Sequence, residues 1–492
     1  MLSLSAWLAG CTVGPDFQRP EAPVPPSWTP AALSAEASAG SRVVQEPVDA
    51  AWWQQFHDPQ LAALVLRVEA ENPDLQEAEA RLVETRYQRD IAAAGFYPTV
   101  SASASDTRLR ISQNSPFAAV AGGSPSTSAG AQPNAAAGAP LPSGPKPSFA
   151  IYQGGFDASW ELDLWGRTRR NVEASEAEVQ TAEEARAGVL LSLRAEAART
   201  YIELRGMQAQ RAVAQHSLDL QRRTVQLTRN LVSSGLAADV DVANAEALAA
   251  GTQAQIPPLD AQITAAINRL SRIVGREPGA LRGELDAARP VPPAPPKVPV
   301  GLPSELARRR PDIRQAEAAL HAQTARIGVA VAQLYPSISL TGSLGLQSGN
   351  TVNLFNWASR FYSIGPALTI PIFEGGRLRG QVRLEEARQR EAALVYRRTV
   401  LDALHEVENS LAAYYGDQGR HAALERQVRT AREAAGLARR HFATGLGNFL
   451  EVLDAERTRL AAELALAQSA AALDTDLVAA YKSLGGGWDA HL

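Results

Sequence analysis

The chain has 492 residues, with 48 Lys and Arg against 52 Asp and Glu, a formal net charge of −4 and 45% hydrophobic side chains. No basic face stands out, which argues against a nucleic-acid partner, and no run of eighteen apolar residues exists, which excludes a transmembrane helix. Cys11 is the single cysteine, so an internal disulfide is excluded.

Cys11 follows Leu8-Ala9-Gly10 at the end of a short apolar stretch, and this run resembles a bacterial lipobox, in which the signal is cut before a cysteine that is then lipidated. Residues 1–10 read as a signal-peptide remnant, although they carry no Lys or Arg. Thr12, standing where an Asp favours inner-membrane retention, favours the outer membrane. The competing reading is an incidental or buried cysteine. Residues 11–58 are Pro-rich and extended, as a tether from Cys11 would be, with Trp52 and Trp53 expected to pack on helices beyond.

From about 60 to 96 the pattern is helical, with a break at Asn72-Pro73, where proline suits the first turn of a restarted helix. Tyr97-Pro98 ends it. Val100, Ala102 and Ala104 then alternate with serines as a strand does. Residues 111–148 are Ala, Gly, Ser and Pro without periodicity and read as a long loop. In the next strand Phe156, Ala158, Trp160, Leu162 and Leu164 alternate with Asp157, Ser159, Glu161 and Asp163. Apolar groups on one face and carboxylates on the other suit a membrane barrel with a wet lumen. A proline-free helical tract runs from Arg167 to about Ser234; at 1.5 Å per residue it is about 100 Å long. It stops at Gly235, and a further helix, interrupted at Pro257-Pro258, reaches Gly275.

After a Pro-rich connector, 276–302, the sequence repeats itself. Arg310-Pro311-Asp312-Ile313 matches Asn72-Pro73-Asp74-Leu75, and Tyr335-Pro336 matches Tyr97-Pro98. Ile338, Leu340, Leu344 and Leu346 alternate with Ser337, Ser339, Thr341 and Ser343, and Ile364, Leu368, Ile370 and Ile372 alternate with Gly365, Ala367, Thr369 and Pro371. Phe355, Trp357, Phe361 and Tyr362 between them are candidates for an interfacial aromatic belt. A second long helix from about 376 stops at Gly445, and a last one reaches Leu484. Gly445-Leu446-Gly447-Asn448-Phe449-Leu450-Glu451-Val452-Leu453-Asp454-Ala455-Glu456 matches Gly235 to Glu246, with Gly, Leu, Val, Ala and Glu recurring. Each reads as a helical hairpin tip in which glycine supplies the left-handed stop. The spacing is 238 residues at Pro98 and Pro336 but 210 at Gly235 and Gly445, because the 111–148 loop lengthens the first half.

The organisation is therefore 1–10, the 11–58 segment, a first repeat 59–275, the 276–302 connector, a second repeat 303–484 and a tail 485–492. The fold class is mainly α with a membrane β-barrel, four strands per chain. Four strands cannot close in lipid, where an open edge is prohibitively costly, so other copies must complete the wall. Three copies give a 12-stranded β-barrel, with the long helices forming an α-helical barrel beneath it.

In this order and duplication the motifs resemble the outer-membrane efflux duct family, the TolC-like proteins, in its OprM/NodT-type lipoprotein branch. The carriers are Gly10 to Phe17, the two X-Pro-Asp starts, the Gly445 to Glu456 tip and Gly485-Gly486-Gly487-Trp488. The resemblance implies a homotrimeric exit duct, docked to a periplasmic adaptor and an inner-membrane pump of the RND type, with Cys11 lipidated. It implies adaptor contacts at Gly235, Leu236 and Ala237 and at Gly445, Leu446 and Gly447. It places Leu450, Asp454 and Arg457 at the periplasmic mouth; their spacing puts them on one helix face. An ion pair between Asp454 and Arg457 on a solvated face is the competing reading. The first half has Val240, Asn244 and Ala247 there, so the second hairpin would carry most of a gate. A porin-like pore, a type I secretion duct and a periplasmic scaffold are the other functional readings.

No catalytic, cofactor or metal motif is found. His405-Glu406 lacks the second histidine of a zinc protease, and Gly485-Gly486-Gly487 lacks the Lys-Ser/Thr of a phosphate loop. Gly154-Gly155 and Gly375-Gly376 read as bends near strand ends.

Overall fold

The computed structural model describes residues 12–21, 24–28, 42–44, 46–110, 112 and 148–487. The signal remnant, Cys11, the loop from 113 to 147 and the tail from Trp488 lie outside the described residues. The chain divides into two units, one holding Arg89–Glu173 and Thr324–Glu386, the other Phe17–Gln88, Ala174–Gln323 and Ala387–Leu492.

The elements follow the repeat. Strand β1 (Arg42–Val44) and a 3-10 turn (Trp52–Phe56) precede α1 (Pro59–Glu71) and α2 (Pro73–Ala93). Then come β2 (Thr99–Arg110), β3 (Ser148–Leu162), α3 (Arg167–Ser233), α4 (Asp239–Gln253) and α5 (Ile256–Ile273). The connector holds a short α6 (Arg282–Leu285) and β4 (Lys297–Pro299). The second round is α7 (Pro303–Arg309), α8 (Pro311–Ala332), β5 (Ser337–Ser348), β6 (Arg360–Thr369), α9 (Arg377–Ala443) and α10 (Phe449–Ser483). The two long helices, α3 and α9, each have 67 residues, or about 100 Å of rise. Helix length is thus preserved between the repeats although the loops differ.

In the first unit the four strands form one antiparallel sheet in the order β2-β3-β5-β6. The β3–β5 seam pairs Gly155 with Gly345. A Cβ on Gly345 would lie 2.5 Å from the Gly154 carbonyl oxygen and 2.9 Å from Phe361 Cε1, so only glycine allows this approach. Gly154 and Gly155 therefore sit within β3 and not at a strand end, which corrects the bend expected there. The third strand is also longer than its apolar alternation suggests, starting at Ser148.

The second unit holds the main apolar core, built from α1, α3, α5, α9 and α10 around residues such as Trp52, Phe56, Tyr201, Leu270 and Tyr481. Trp52 and Trp53 are buried in it, and Trp52 stacks on Tyr481 at 5.2 Å. The matched starts of α2 and α8 do the same work with different chemistry. Asn72 donates from Nδ2 to the Ile273 carbonyl (2.6 Å), and Arg310 donates from a terminal guanidinium nitrogen to the Ser483 carbonyl (2.7 Å). Both bonds tie the start of one helix to the end of another, at α5 in the first repeat and α10 in the second.

The connector is more ordered than its prolines suggest. Its β4 pairs in parallel with β1, Arg42 opposite Lys297, and Trp28 Nε1 donates to the Gly301 carbonyl at 3.0 Å. The wholly buried Arg205 of α3 donates to the Ala287 carbonyl (2.8 Å) and to Gln60 (2.5 Å). These bonds satisfy backbone groups that an irregular segment would otherwise leave bare.

Candidate functional site

Two features bear on function, and each lies within one unit. The first is the pair of sheet faces. Strand alternation sends neighbouring residues to opposite sides, and the register assigns them. One cross-sheet row is Val100, Ala158, Gly342 and Ile364, and another is Phe156, Leu344 and Tyr362. The intervening row is Ser101, Asp157, Ser343 and Ser363. One face is therefore apolar and the other polar, yet the apolar face is open, Ile364 being 75% exposed. Among the described residues no helix is long and apolar enough to cross a membrane. Phe355, Trp357 and Tyr362 are also exposed, and the Arg360 guanidinium lies 4.2 Å from the Trp357 ring. Phe361 differs. It pairs with Gly345 and lies over it on the polar face, so it does not belong with the expected aromatic belt.

The second feature is the pair of hairpin tips. Helix α3 ends with Gly235 at φ +72° and α9 with Gly445 at φ +74°. In the first, Gly235 N donates to Val232 O and Leu236 N to Leu231 O; in the second, Gly445 N donates to Phe442 O and Leu446 N to His441 O. This double bond pattern is the Schellman stop, which needs a left-handed residue. The residues after each glycine point into solvent, Leu236 being 75% and Leu446 81% exposed. The restarts differ. Asp241 reaches back to accept from Ala238 N (3.2 Å), whereas Asn448 Oδ1 accepts from Leu450 N (3.0 Å). Behind the second tip the Phe442 and Phe449 rings lie 5.2 Å apart. With Val452, Leu453, Val225 and Ala245 they form an apolar cluster that joins the two hairpins.

The three residues expected at the mouth all lie on the outer face of α10. Leu450 is 55% exposed, and Asp454 and Arg457 are exposed as well. Asp454 and Arg457 form no ion pair with each other among the described residues, although the three-residue spacing would allow one. Sequence reasoning missed what holds the far side of the same helix. Glu456, its side chain 4% exposed, pairs with Arg439 of α9 (3.2 Å) and with Arg459 (2.9 Å). In the first hairpin Glu246 pairs with Arg229 (2.5 Å), both half-exposed. The recurring Glu was visible in the tip motif. Its arginine partner, 17 residues upstream in each copy, was the signal that could have found the pair.

Comparison with known proteins decides the family. A sequence model described as "Outer membrane efflux protein" matches residues 64–276 and 302–486. The chain belongs to the outer membrane efflux protein family. It is 31% identical to nodulation protein T of Rhizobium leguminosarum bv. trifolii over 478 residues, covering 94% of this chain and 92% of that one. It is 31% identical to outer membrane protein OprJ of Pseudomonas aeruginosa, covering 99% and 95%. Among solved structures, the outer-membrane channel OprN superposes with a TM-score of 0.83 at 36% identity, covering 97% of this chain and all of that one. The fold is that of the TolC-like outer-membrane channels, and the protein is an outer-membrane efflux channel whose exposed apolar sheet face suits lipid.

Proposed function

We propose that three copies of the chain form the exit duct of a tripartite efflux system. The carrying observation is the four-stranded sheet whose edges, β2 and β6, are unpaired among the described residues, with one open apolar face. Such a sheet cannot stand in lipid alone; three of them make twelve strands, within the size range of closed outer-membrane barrels. Each repeat, 59–275 and 303–484, supplies two strands and one long hairpin. Transport is passive and involves no catalysis by this chain. A periplasmic adaptor docks on the exposed tips around Leu236 and Leu446, an inner-membrane pump of the RND type supplies the energy, and Cys11 carries the lipid anchor. Relatives such as OprJ and "Probable efflux pump outer membrane protein TtgC" of Pseudomonas putida support this reading.

The periplasmic mouth is closed by the Leu450, Asp454 and Arg457 faces of three α10 helices. Three carboxylates near one axis repel, and a cation or a proton relieves them. Leu450→Ala combined with Asp454→Ala is expected to raise single-channel conductance of the trimer in planar bilayers several-fold. Unchanged conductance would take these residues out of the mouth.

A further inference from the structure

One face of α10 carries the proposed mouth, and the opposite face carries buried charge. Glu456, Arg459 and Glu463 lie roughly 150° around the helix from Leu450, Asp454 and Arg457, at 3.6 residues per turn. Glu456 pairs with Arg439 and Arg459, and Glu463, its side chain also buried, pairs with Arg432 of α9 at 2.6 Å. Both carboxylates are thus held by arginines of the neighbouring long helix. The first hairpin lacks this arrangement. The counterpart of Arg459 is Ala249 and that of Glu463 is Gln253, leaving the half-exposed Arg229–Glu246 pair.

We infer that the buried Glu456, Arg459 and Glu463 of α10, held by the partly exposed Arg439 and the exposed Arg432 of α9, form an ionic clamp that fixes the rotation of α10 against α9 and so positions the Leu450–Asp454–Arg457 face. The inference rests on the proposed mouth. A buried arginine cannot remain without its carboxylate, because an unpaired charge in the interior is far costlier than a paired one. If Glu456 loses its charge, Arg459 and Arg439 face each other, and Arg459 must reach water. It can do so only if α10 turns or lifts from α9. Either movement carries Leu450 and Asp454 with it, since they share the rigid helix. The first hairpin, whose pair is already solvated, is under no such constraint. These residues are positioning residues; they need not touch the solute.

The test uses full-length trimer in detergent and in planar bilayers, with hydrogen exchange over the first turns of α10 measured in parallel. Glu456→Gln is expected to raise both conductance and exchange several-fold, and Glu246→Gln in the first hairpin is expected to change neither. The swap Arg439→Glu with Glu456→Arg should return both towards wild type, because one carboxylate again lies between two arginines. A folded Glu456→Gln trimer with wild-type exchange and conductance would overturn the clamp, as would a folded swap that restores nothing. Raised exchange with unchanged conductance would keep the clamp and refute the mouth. If Glu456→Gln does not assemble, recovery of the trimer by the swap supports the pairing, and a swap no better than Glu456→Arg alone overturns it.

Discussion

Ile364→Arg is expected to remove the protein from the outer membrane, whereas Ser363→Arg, one residue away on β6, is expected to leave it there. The register decides the difference. Ile364 lies in the row with Val100, Ala158 and Gly342, and Ser363 in the row with Ser101, Asp157 and Ser343. A cationic side chain on the lipid face near the bilayer midplane costs about 2–4 kcal/mol, and the proposed trimer would incur that cost three times. On the polar face an arginine meets water and the Asp157 row, and its effect should be a shift of the pore towards anions. Membrane fractionation with detection of an assembled trimer reads the first outcome, and reversal potentials in a salt gradient read the second. Equal loss of both variants from the membrane would show that the faces are wrongly assigned.

The second large effect concerns pH. Asp474 of α10 is buried, its Oδ1 has no hydrogen-bond partner among the described residues, and burial pushes its carboxyl up to about 8. The folded chain therefore keeps a proton that the unfolded chain releases near pH 4. Where the native state binds more protons, stability falls as pH rises. This contribution is fully present below the unfolded pKa, is lost between about pH 4 and pH 8, and is flat above. Each unit of that window is worth about 1.4 kcal/mol, so the whole is several kcal/mol per chain before relaxation reduces it. Asp474→Asn replaces the group with a neutral isostere. Its thermal midpoint is expected to exceed that of the wild type by a margin that grows from pH 5 to pH 8. A margin that stays constant or shrinks would mean that Asp474 is ionised in the native state.

Much of this fold can be read along the chain because its determinants are local. Gly235 and Gly445 announce the tips, since a helix that ends in a Schellman stop needs a residue free to adopt positive φ. The absence of proline over α3 and α9 gives their length. The alternation at Phe156 to Leu162 gives the strand and its two faces. What escaped depends on pairing between distant segments. The three-residue strands β1 and β4 are too short for periodicity, and only their parallel pairing defines them. Phe361 looks like its neighbour Tyr362 in composition, yet a one-residue step in register puts it on the other face. At the proposed mouth, sequence could place Leu450, Asp454 and Arg457 on one side of α10. It could not show that Glu456 and Glu463 anchor the other side, because a buried and an exposed Glu-Arg pair have the same spelling.

In the proposed trimer, sister copies finish a wall that one chain only begins. Native mass spectrometry of the full-length protein, gently extracted from outer membranes, tests this most directly. It should find three subunits together, with no stable single subunit. A predominant monomer or dimer that still conducts in bilayers would contradict it.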